Sequence, residues 1–300
     1  MPATATSLGD IEYAVSKLHW MRERRLWPNG LRYLWTDAFG VILLVSLYEA
    51  TKDDRFLDEA SWLVGDVERV LGRPRGIRIG EEADRDGQYF HYLAMWLYAL
   101  AIMARHVPEM SAKGVRLVRQ IHRAFVLPGR GVIWKMKEDL SGPYPGFGLG
   151  ALDAFDGYIS YRKLDEENLA EEIGDMRLLI AQQAPSLWIT QVLGLGMMLW
   201  MSHFHPEEDW AVLQRRRCLE TLDGMWARAG YFCREPDLPS VQFAFTNYGI
   251  SIGLQAVEAM PQRVPALHTF FDRYRAGDEY DEAAITHVMA CSAHFPGLLL

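Results

Sequence analysis

Cysteine and basic residues are both scarce in this chain. It contains three cysteines, Cys218, Cys233 and Cys291, and no C-x-x-C pair among its 300 residues. Three thiols cannot supply a disulfide framework, so we expect buried or idle thiols and a cytoplasmic, reducing location. Acidic residues outnumber basic ones by 39 to 31, the net charge is −8, and no run of Lys and Arg appears that could act as a local patch. This balance predicts that nucleic acid is not a partner.

Long hydrophobic runs and strand patterns are also missing. The apolar stretches Leu93–Met103 and Val192–Met201 are shorter than the roughly 20 residues that span a bilayer, and the first residues lack the order of a signal peptide. We therefore expect no membrane association. Convincing period-2 runs joined by hairpin turns are absent.

Motifs for cofactor or metal chemistry are likewise not found. The sequence has no glycine-rich nucleotide loop after a strand, no H-E-x-x-H and no G-x-S-x-G, so it predicts neither a cofactor nor a metal. On ligand type alone, a metal held by Asp37, His91, Asp153 and His287 is the alternative.

Helical periodicity is what the sequence does contain, in two kinds of segment that alternate six times. Amphipathic segments carry their charges on one side, as helices with one face in solvent do. They are Leu8–Arg24, Asp53–Leu71, Met110–Val126, Glu166–Gln183, Glu207–Arg228 and Gln262–Arg275. The others are apolar on nearly all sides, which is typical of buried helices. They are Tyr33–Ala50, Gln88–Arg105, Leu149–Arg162, Ser186–His203, Gln242–Met260 and Asp281–Leu300.

The alternation predicts an all-α fold: an (α/α)6 barrel of six helical hairpins, with apolar helices inside and amphipathic helices outside, as one domain over residues 1–300. An open solenoid would alternate similarly, but its last hairpin should carry a polar cap, whereas this chain ends in PGLLL. Several glycines punctuate the apolar segments, among them Gly196, Gly249 and Gly253. They indicate close approach of helices or space for a ligand.

Long loops precede three of the apolar segments: Gly72–Gly87, Leu127–Gly148 and Ala229–Val241. The barrel places them at one end, where the inner helices begin, and long loops are commonly functional. The N-terminal poles of six inner helices would favour an anionic group there. We therefore expect a small-molecule substrate at this end, with an anionic one as an option.

Each apolar segment begins with one polar position. These positions are Asp37, His91, Asp153, Gln191, Asn247 and His287. Capping is the alternative for Asp37 and Asn247, and a satisfied core histidine is the alternative for the two histidines. Asp156 shares a helix face with Asp153, and the loop residue Asp86 is either a helix cap or an acid at the mouth of the cavity.

Aromatic residues cluster at the same end, where they suit the stacking of sugar rings, although core packing also explains many of them. The aromatic candidates for substrate binding are Trp35, Tyr89, Tyr92, Trp134, Tyr144, Trp188 and Phe245. The polar candidates are Arg78, Gln88, Gln191 and Asn247.

The segments LWTDAFG, DGQYFHYLAMW, ALDAFDGY, WITQVLGLG and FTNYGISIGL together resemble the six-hairpin glycosidase-like superfamily of (α/α)6 toroids. The resemblance implies carboxylate chemistry, as in its glycoside hydrolases and unsaturated glucuronyl hydrolases, or a histidine pair, as in sugar 2-epimerases on a similar barrel.

Three functions follow as hypotheses. The first is a glycoside-hydrolase-like enzyme on a saccharide or similar polyhydroxylated molecule, with Asp37, Asp86, Asp153 and Asp156 as acid/base candidates. The second is a sugar epimerase or isomerase that uses His91 and His287. The third is a non-catalytic barrel that binds a ligand or a protein.

Overall fold

A computed structural model describes residues 8–228, 232 and 243–300 of the chain. The predicted loop Ala229–Val241, which contains Cys233, lies outside these residues apart from Phe232. The described helices are α1 (Leu8–Glu23), α2 (Leu34–Thr51), α3 (Asp54–Leu71), α4 (Phe90–Met103), α5 (Glu109–Phe125), α6 (Asp153–Asp165), α7 (Ala170–Gln183), α8 (Val192–Ser202), α9 (Asp209–Ala227), α10 (Ala244–Ala256), α11 (Arg263–Phe271) and α12 (Ala284–His294). The all-α class is therefore confirmed.

The described residues form two compact units. The central unit, Gly30–Gln183, contains α2 to α7. The terminal unit contains α1, from the described residues before Gly30, and α8 to α12, from those after Gln183. In the central unit α4 packs against both α2 and α6, and in the terminal unit α10 packs against both α8 and α12.

The alternation of buried and amphipathic helices follows the sequence pattern. In α4 every residue from Leu93 to Met103 is buried, whereas its partner α5 buries one stripe that includes Val118 and Ile121. Because an inner helix is covered on all sides, it needs apolar residues all round, while an outer helix needs only one apolar face. Cys218 and Cys291 are buried thiols, and burial raises the pKa of each to about 12.

Helix α2 corrects one expectation. Its 18 residues have a mean hydropathy of 1.3, so by length and composition it is able to cross a membrane, contrary to the prediction that no apolar stretch is long enough. However, 78% of this segment is buried inside the protein. Burial in the core accounts for its apolar character.

Helices α8 and α10 approach each other through glycine. A β carbon on Gly253 would lie 2.2 Å from the carbonyl oxygen of Gly196, and one on Gly196 would lie 2.3 Å from that of Gly249. Real side chains do not tolerate such distances, so the two backbones can touch only because these positions lack a β carbon. These glycines serve close packing, one of the two predicted reasons for glycine in buried helices.

Short strands in the central unit are the main departure from the helical prediction. They are β1 (Gln88–Tyr89), β2 (Val126–Leu127), β3 (Gly131–Ile133), β4 (Lys135–Met136) and β5 (Leu149–Gly150). β1 pairs antiparallel with β4, and β3 pairs antiparallel with both β2 and β5. Helices α4 and α6 consequently begin later than predicted, because the predicted first residues of each belong to strands β1 and β5.

Candidate active site

Strand pairing joins the loop Leu127–Gly148 to the residues between the loop Gly72–Gly87 and the start of α4. In the β1–β4 ladder Gln88 lies opposite Met136 and Tyr89 opposite Lys135. Between β3 and β4, the Trp134 N–H donates to the Gly148 carbonyl (3.0 Å), and the Phe90 N–H donates to the Trp134 carbonyl (3.1 Å). The first N–H of α4 is thus satisfied by a loop residue, which fixes the loop over the helix start.

Aromatic rings surround His91 at this point. We call Tyr33, Trp35, Tyr89, Tyr92, Trp134 and Phe147 the aromatic cage. The His91 ring centroid lies 4.5 Å from that of Tyr92 and 5.8 Å from that of Trp35. Tyr89 and Trp134 stack at 5.5 Å with their planes 17° apart, and the hydroxyls of Tyr33 and Tyr92 hydrogen-bond to each other. The structure thus brings together four predicted binding residues, Trp35, Tyr89, Tyr92 and Trp134, around one predicted catalytic residue.

His91 is uncharged in this setting. Desolvation by the surrounding groups lowers its pKa to about 3. Its Nδ1 accepts a hydrogen bond from the Trp134 indole Nε1 (3.3 Å). Its Nε2 has no hydrogen-bond partner in the described part of the chain and is not one of the buried polar atoms there, so it reaches the accessible surface. A polar atom of this kind is available to a ligand.

Asp153 and Asp156 lie on the first turn of α6. Burial raises the pKa of Asp153 to about 8, although N–H donors that include the His91 backbone oppose the shift. Burial also raises the pKa of Asp156 well above its usual value, and the neighbouring Asp153 raises it further. Asp153 therefore favours the protonated form at neutral pH, and burial disfavours the ionised form of Asp156 as well. Asp153 sits over Gly150, where a β carbon would lie 1.7 Å from its Oδ2.

Asp86 belongs to a charged group beside the cage. The Tyr144 hydroxyl donates to its carboxylate (2.8 Å), and the Lys135 ammonium lies 3.4 Å away. Burial opposes ionisation, but the Tyr144 hydrogen bond and the Lys135 charge outweigh it and lower the pKa of Asp86. Lys135 is almost fully buried, 3.8 Å from the centre of the Tyr144 ring. Asp86 is thus an ionised carboxylate whose partners hold it in place.

Three other predicted site residues of the central unit are engaged within the fold. Arg32 Nη1 lies 3.3 Å from Asp37 Oδ1, and the Tyr33 N–H donates to Asp37 Oδ2 (3.2 Å). Gln88 is fully buried; its amide accepts from the Ile77 N–H and donates to two carbonyls. Arg78 donates to the carbonyls of its own loop and pairs with Glu138 (2.7 Å). Their observed contacts brace helix and loop, and their predicted roles toward a ligand stay predictions.

The terminal unit holds the remaining predicted residues. His287 Nε2 lies 3.0 Å from the Asp281 carbonyl, so this nitrogen carries a proton and donates it. Burial, with the Lys17 charge, lowers the pKa of His287 to about 4. Gln191 caps α8 by accepting from the Gly194 N–H (3.1 Å). The observed contacts of these two side chains are therefore internal to the terminal unit.

The other three predicted residues of this unit differ in exposure. Asn247 is buried, and its amide donates to the Phe243 carbonyl (2.9 Å). Phe245 stacks on Tyr280, with 5.7 Å between the ring centroids. Trp188 is 61% exposed, and the Arg217 guanidinium lies 4.6 Å from the centre of its ring. Asn247 thus bonds back to the carbonyl four residues earlier and caps no N–H group of α10. The two aromatic residues are packed beside rings or a cation.

A polar cluster of the terminal unit escaped the sequence analysis. The hydroxyls of Tyr13 (3.0 Å) and Tyr248 (2.8 Å) donate to Asp272, and His294 Nε2 lies 3.1 Å from the same carboxylate. Burial alone would raise the pKa of Asp272, but His294 and the two hydroxyls lower it. The ring of His268 lies 4.0 Å, centroid to centroid, from that of His294. The local signal for the cluster was the four-residue spacing of His268 and Asp272, which places both on one face of the α11 region.

Within residues 8–228, 232 and 243–300, no group of three or more His, Cys, Asp or Glu side chains is arranged to hold an ion. The alternative of a shared metal on the four predicted ligands therefore gains no support from the central or the terminal unit taken separately.

Comparison with known proteins places the fold. No protein-family model and no curated protein sequence matches the chain. Among solved structures, a D-mannose isomerase matches with a TM-score of 0.71 over 99% of both chains at 11% identity. Cellobiose 2-epimerase from Bacillus thermoamylovorans matches with a TM-score of 0.60, 10% identity and coverage of 88% of this chain and 87% of that one. The enzyme of the same name from Spirochaeta thermophila has a TM-score of 0.60, 13% identity and coverage of 89% and 86%.

These structures confirm the predicted architecture. The matches extend over 88% to 99% of this chain. At such low identity the likeness concerns the fold, and residue roles do not transfer with it. The chain therefore has the all-α, (α/α)6 toroid fold of these structures.

Proposed function

We propose that this protein is a sugar epimerase or isomerase that binds its substrate in the aromatic cage of the central unit. The observation that carries the proposal is His91: an uncharged imidazole among aromatic rings, with Nε2 available to a ligand. Aromatic faces stack on sugar rings, and a neutral imidazole suits proton transfer or hydrogen bonding to a carbonyl oxygen.

The carboxyls give weaker support to glycoside hydrolysis, the first of the sequence hypotheses. Hydrolysis divides the work between a protonated carboxyl and an ionised one on opposite sides of the bond. Asp153 and Asp156 lie on one helical turn, and burial favours the protonated form of both. Asp37 is engaged by a buried Arg32. Asp86 is ionised, but a lysine and a tyrosine already bind it.

The structural neighbours favour the same alternative. Their names are those of cellobiose 2-epimerases, a D-mannose isomerase and a sugar epimerase. All of these names denote a change of configuration or carbonyl position in a sugar, without cleavage of a glycosidic bond. This agreement supports carbohydrate isomerisation as the reaction class for the present chain.

The chemistry required of the site is limited. Removal of the proton on the carbon next to a sugar carbonyl places negative charge on the carbonyl oxygen, so a donor must meet that oxygen. Return of the proton to the other face gives the epimer, and return to the neighbouring carbon gives the aldose–ketose isomer. The cage supplies a stacking surface, and His91 supplies the polar atom.

The test is incubation with D-mannose, D-fructose, D-glucose and cellobiose in D2O, followed by NMR. We expect a new isomer of one sugar, with deuterium at the carbon to which the proton is returned: the same carbon for an epimer and the neighbouring carbon for an aldose–ketose isomer. The His91→Phe variant should lose this activity, whereas His106→Phe should retain it, because His106 lies beyond the other end of α4 and pairs with Glu49.

Other outcomes would support one of the two other hypotheses in place of the epimerase or isomerase. Cleavage of a panel of aryl glycosides and unsaturated uronides, without deuterium in free sugars, would support the hydrolase. Binding of a sugar by calorimetry with neither reaction would support the non-catalytic barrel. Wild-type turnover in His91→Phe would remove the cage from the mechanism.

A further inference from the structure

Building on the proposed function, we infer that Trp134 fixes His91 in the tautomer that carries its proton on Nε2. In this state His91 is a hydrogen-bond donor to the sugar carbonyl oxygen and does not accept the proton from carbon. The sequence hypothesis treated His91 as a base and Trp134 as a stacking surface. The structure assigns a different task to each.

The first step is the hydrogen bond between the two rings. The indole Nε1–H of Trp134 lies 3.3 Å from His91 Nδ1, and an indole nitrogen only donates. His91 Nδ1 must therefore present a lone pair. An imidazole with a lone pair on Nδ1 is neutral and holds its single proton on Nε2.

The second step is the fixed position of Trp134. Its backbone bonds to Gly148 on one side and to Phe90, the first residue of α4, on the other. Its indole stacks on Tyr89 and lies 5.2 Å, centroid to centroid, from the ring of Phe147. The indole cannot turn away from His91 without loss of these contacts, so the hydrogen bond is built into the loop.

The third step is the environment of Nε2. This atom has no partner among the described residues and reaches the accessible surface, whereas Nδ1 is occupied. The rings of Trp35, Tyr89 and Tyr92 around it carry no charge that would stabilise an imidazolium. A ligand in the cage therefore meets an N–H group.

The consequence for the reaction is a division of labour. As the carbon–hydrogen bond next to the carbonyl breaks, the carbonyl oxygen becomes an enediolate oxygen, and the His91 Nε2–H stabilises it by hydrogen bonding. The proton from carbon passes to a carboxylate, for which Asp86 beside the cage is the ionised candidate, and it returns to carbon when the carbonyl re-forms. Loss of one such donor lowers turnover by about 10²–10³.

The tautomer can be measured without any substrate. In 15N-histidine-labelled protein, long-range 1H–15N NMR should show a pyrrole-type shift for His91 Nε2 and a pyridine-type shift for Nδ1. Trp134→Phe removes one neutral hydrogen bond and should lower the ratio of the two tautomers about fivefold. The matched control is Trp62→Phe, because Trp62 lies exposed on α3 and should leave the signal unchanged.

Activity then tests the donor role. A glutamine side chain offers an N–H2 group close to the position of Nε2 and cannot act as a base. His91→Gln should therefore retain part of kcat, while His91→Phe should lower kcat by a factor of about 10²–10³. Trp134→Phe should lower kcat in addition to any rise in KM from lost stacking.

The outcomes separate the inference from the proposed function. A proton on Nδ1 in the wild type, or an unchanged tautomer ratio in Trp134→Phe, would overturn the role of Trp134 whatever the enzyme does. Equal inactivity of His91→Gln and His91→Phe would overturn the donor role. Absence of any sugar isomerisation would refute the proposed function, while the NMR result would still decide the tautomer.

Discussion

Replacement of Asp37 by asparagine distinguishes a carboxylate that holds the fold from one that takes part in a reaction. The Asp37 and Arg32 side chains are 0% and 1% exposed, and 3.3 Å separates Oδ1 from Nη1. The Tyr33 N–H donates to Oδ2 at 3.2 Å. Asparagine keeps the size of the side chain and an acceptor oxygen, but it removes the negative charge that compensates the buried guanidinium.

The magnitude follows from this burial. Removal of one partner of a buried ion pair costs about 3–5 kcal/mol, because the other charge is left uncompensated. Asp66 remains 3.6 Å from the Arg32 Nε and keeps part of the compensation. We therefore expect the lower end, a loss of about 3 kcal/mol in the free energy of unfolding. At roughly 2–4 °C per kcal/mol, the melting temperature should fall by about 6–12 °C.

The assay is urea and thermal unfolding of the wild type, Asp37→Asn and Asp53→Asn, followed by circular dichroism. Asp53 is the matched control: it caps α3 and pairs with Arg55, whose side chain is 89% exposed. Its replacement should leave the midpoint of unfolding much closer to that of the wild type than Asp37→Asn does, because the pair is exposed to solvent. Sugar turnover by folded Asp37→Asn should stay near that of the wild type. Wild-type stability combined with lost turnover would refute the structural role and restore Asp37 as an acid/base candidate.

Three further changes have expected outcomes. Gly253→Ala should destabilise the protein by about 1–3 kcal/mol in urea unfolding, because its β carbon would lie 2.2 Å from the Gly196 carbonyl oxygen; Gly224→Ala on α9, with no atom within 4 Å, should stabilise it by up to about 1 kcal/mol. Burial raises the folded-state pKa of Asp153 to about 8, above its ordinary value, so its contribution to stability is present below about pH 4 and lost as pH rises through 8. Asp153→Asn should thus be more stable than the wild type at pH 8 and equal to it below pH 4; a constant difference between the two across pH would contradict this. Gln88→Leu leaves three backbone groups without their side-chain partner and should lower stability by about 1–3 kcal/mol; no change in urea unfolding would contradict the bracing role.

The helical pattern was predictable because burial acts on each residue locally. An inner helix such as α4 is apolar from Leu93 to Met103 because it is covered on every side, and this pattern is visible in the sequence. The start of the helix was not predictable to the residue. Gln88 and Tyr89 continue the apolar pattern, but they pair with Met136 and Lys135, nearly 50 residues later. No local signal announces a partner at that distance.

The candidate site shows the same division between local and distant information. The aromatic residues and His91 at the start of α4 were predictable because they stand together in the chain. The partners that decide their roles come from elsewhere: the indole that bonds His91 is 43 residues away, and the hydroxyl of Tyr13 meets Asp272 across 259 residues. A polar residue type predicts a need for a partner, and only the fold supplies its identity.

The recurrence of a polar residue at each inner helix start therefore has a physical explanation that does not require six site residues. A helix begins with N–H groups that lack partners, and a side-chain oxygen just before or within the first turn satisfies one of them. Gln191 does this for α8, and the Asp37 carboxylate binds the Tyr33 N–H. A ligand, in contrast, needs an atom whose hydrogen-bonding capacity is not used within the fold. His91 meets that condition because Trp134, a residue outside its helix, occupies Nδ1 and leaves Nε2 at the surface of the cage. Helix capping thus accounts for Gln191 and Asp37, and the contact of His91 with a residue outside its helix distinguishes it from these two positions.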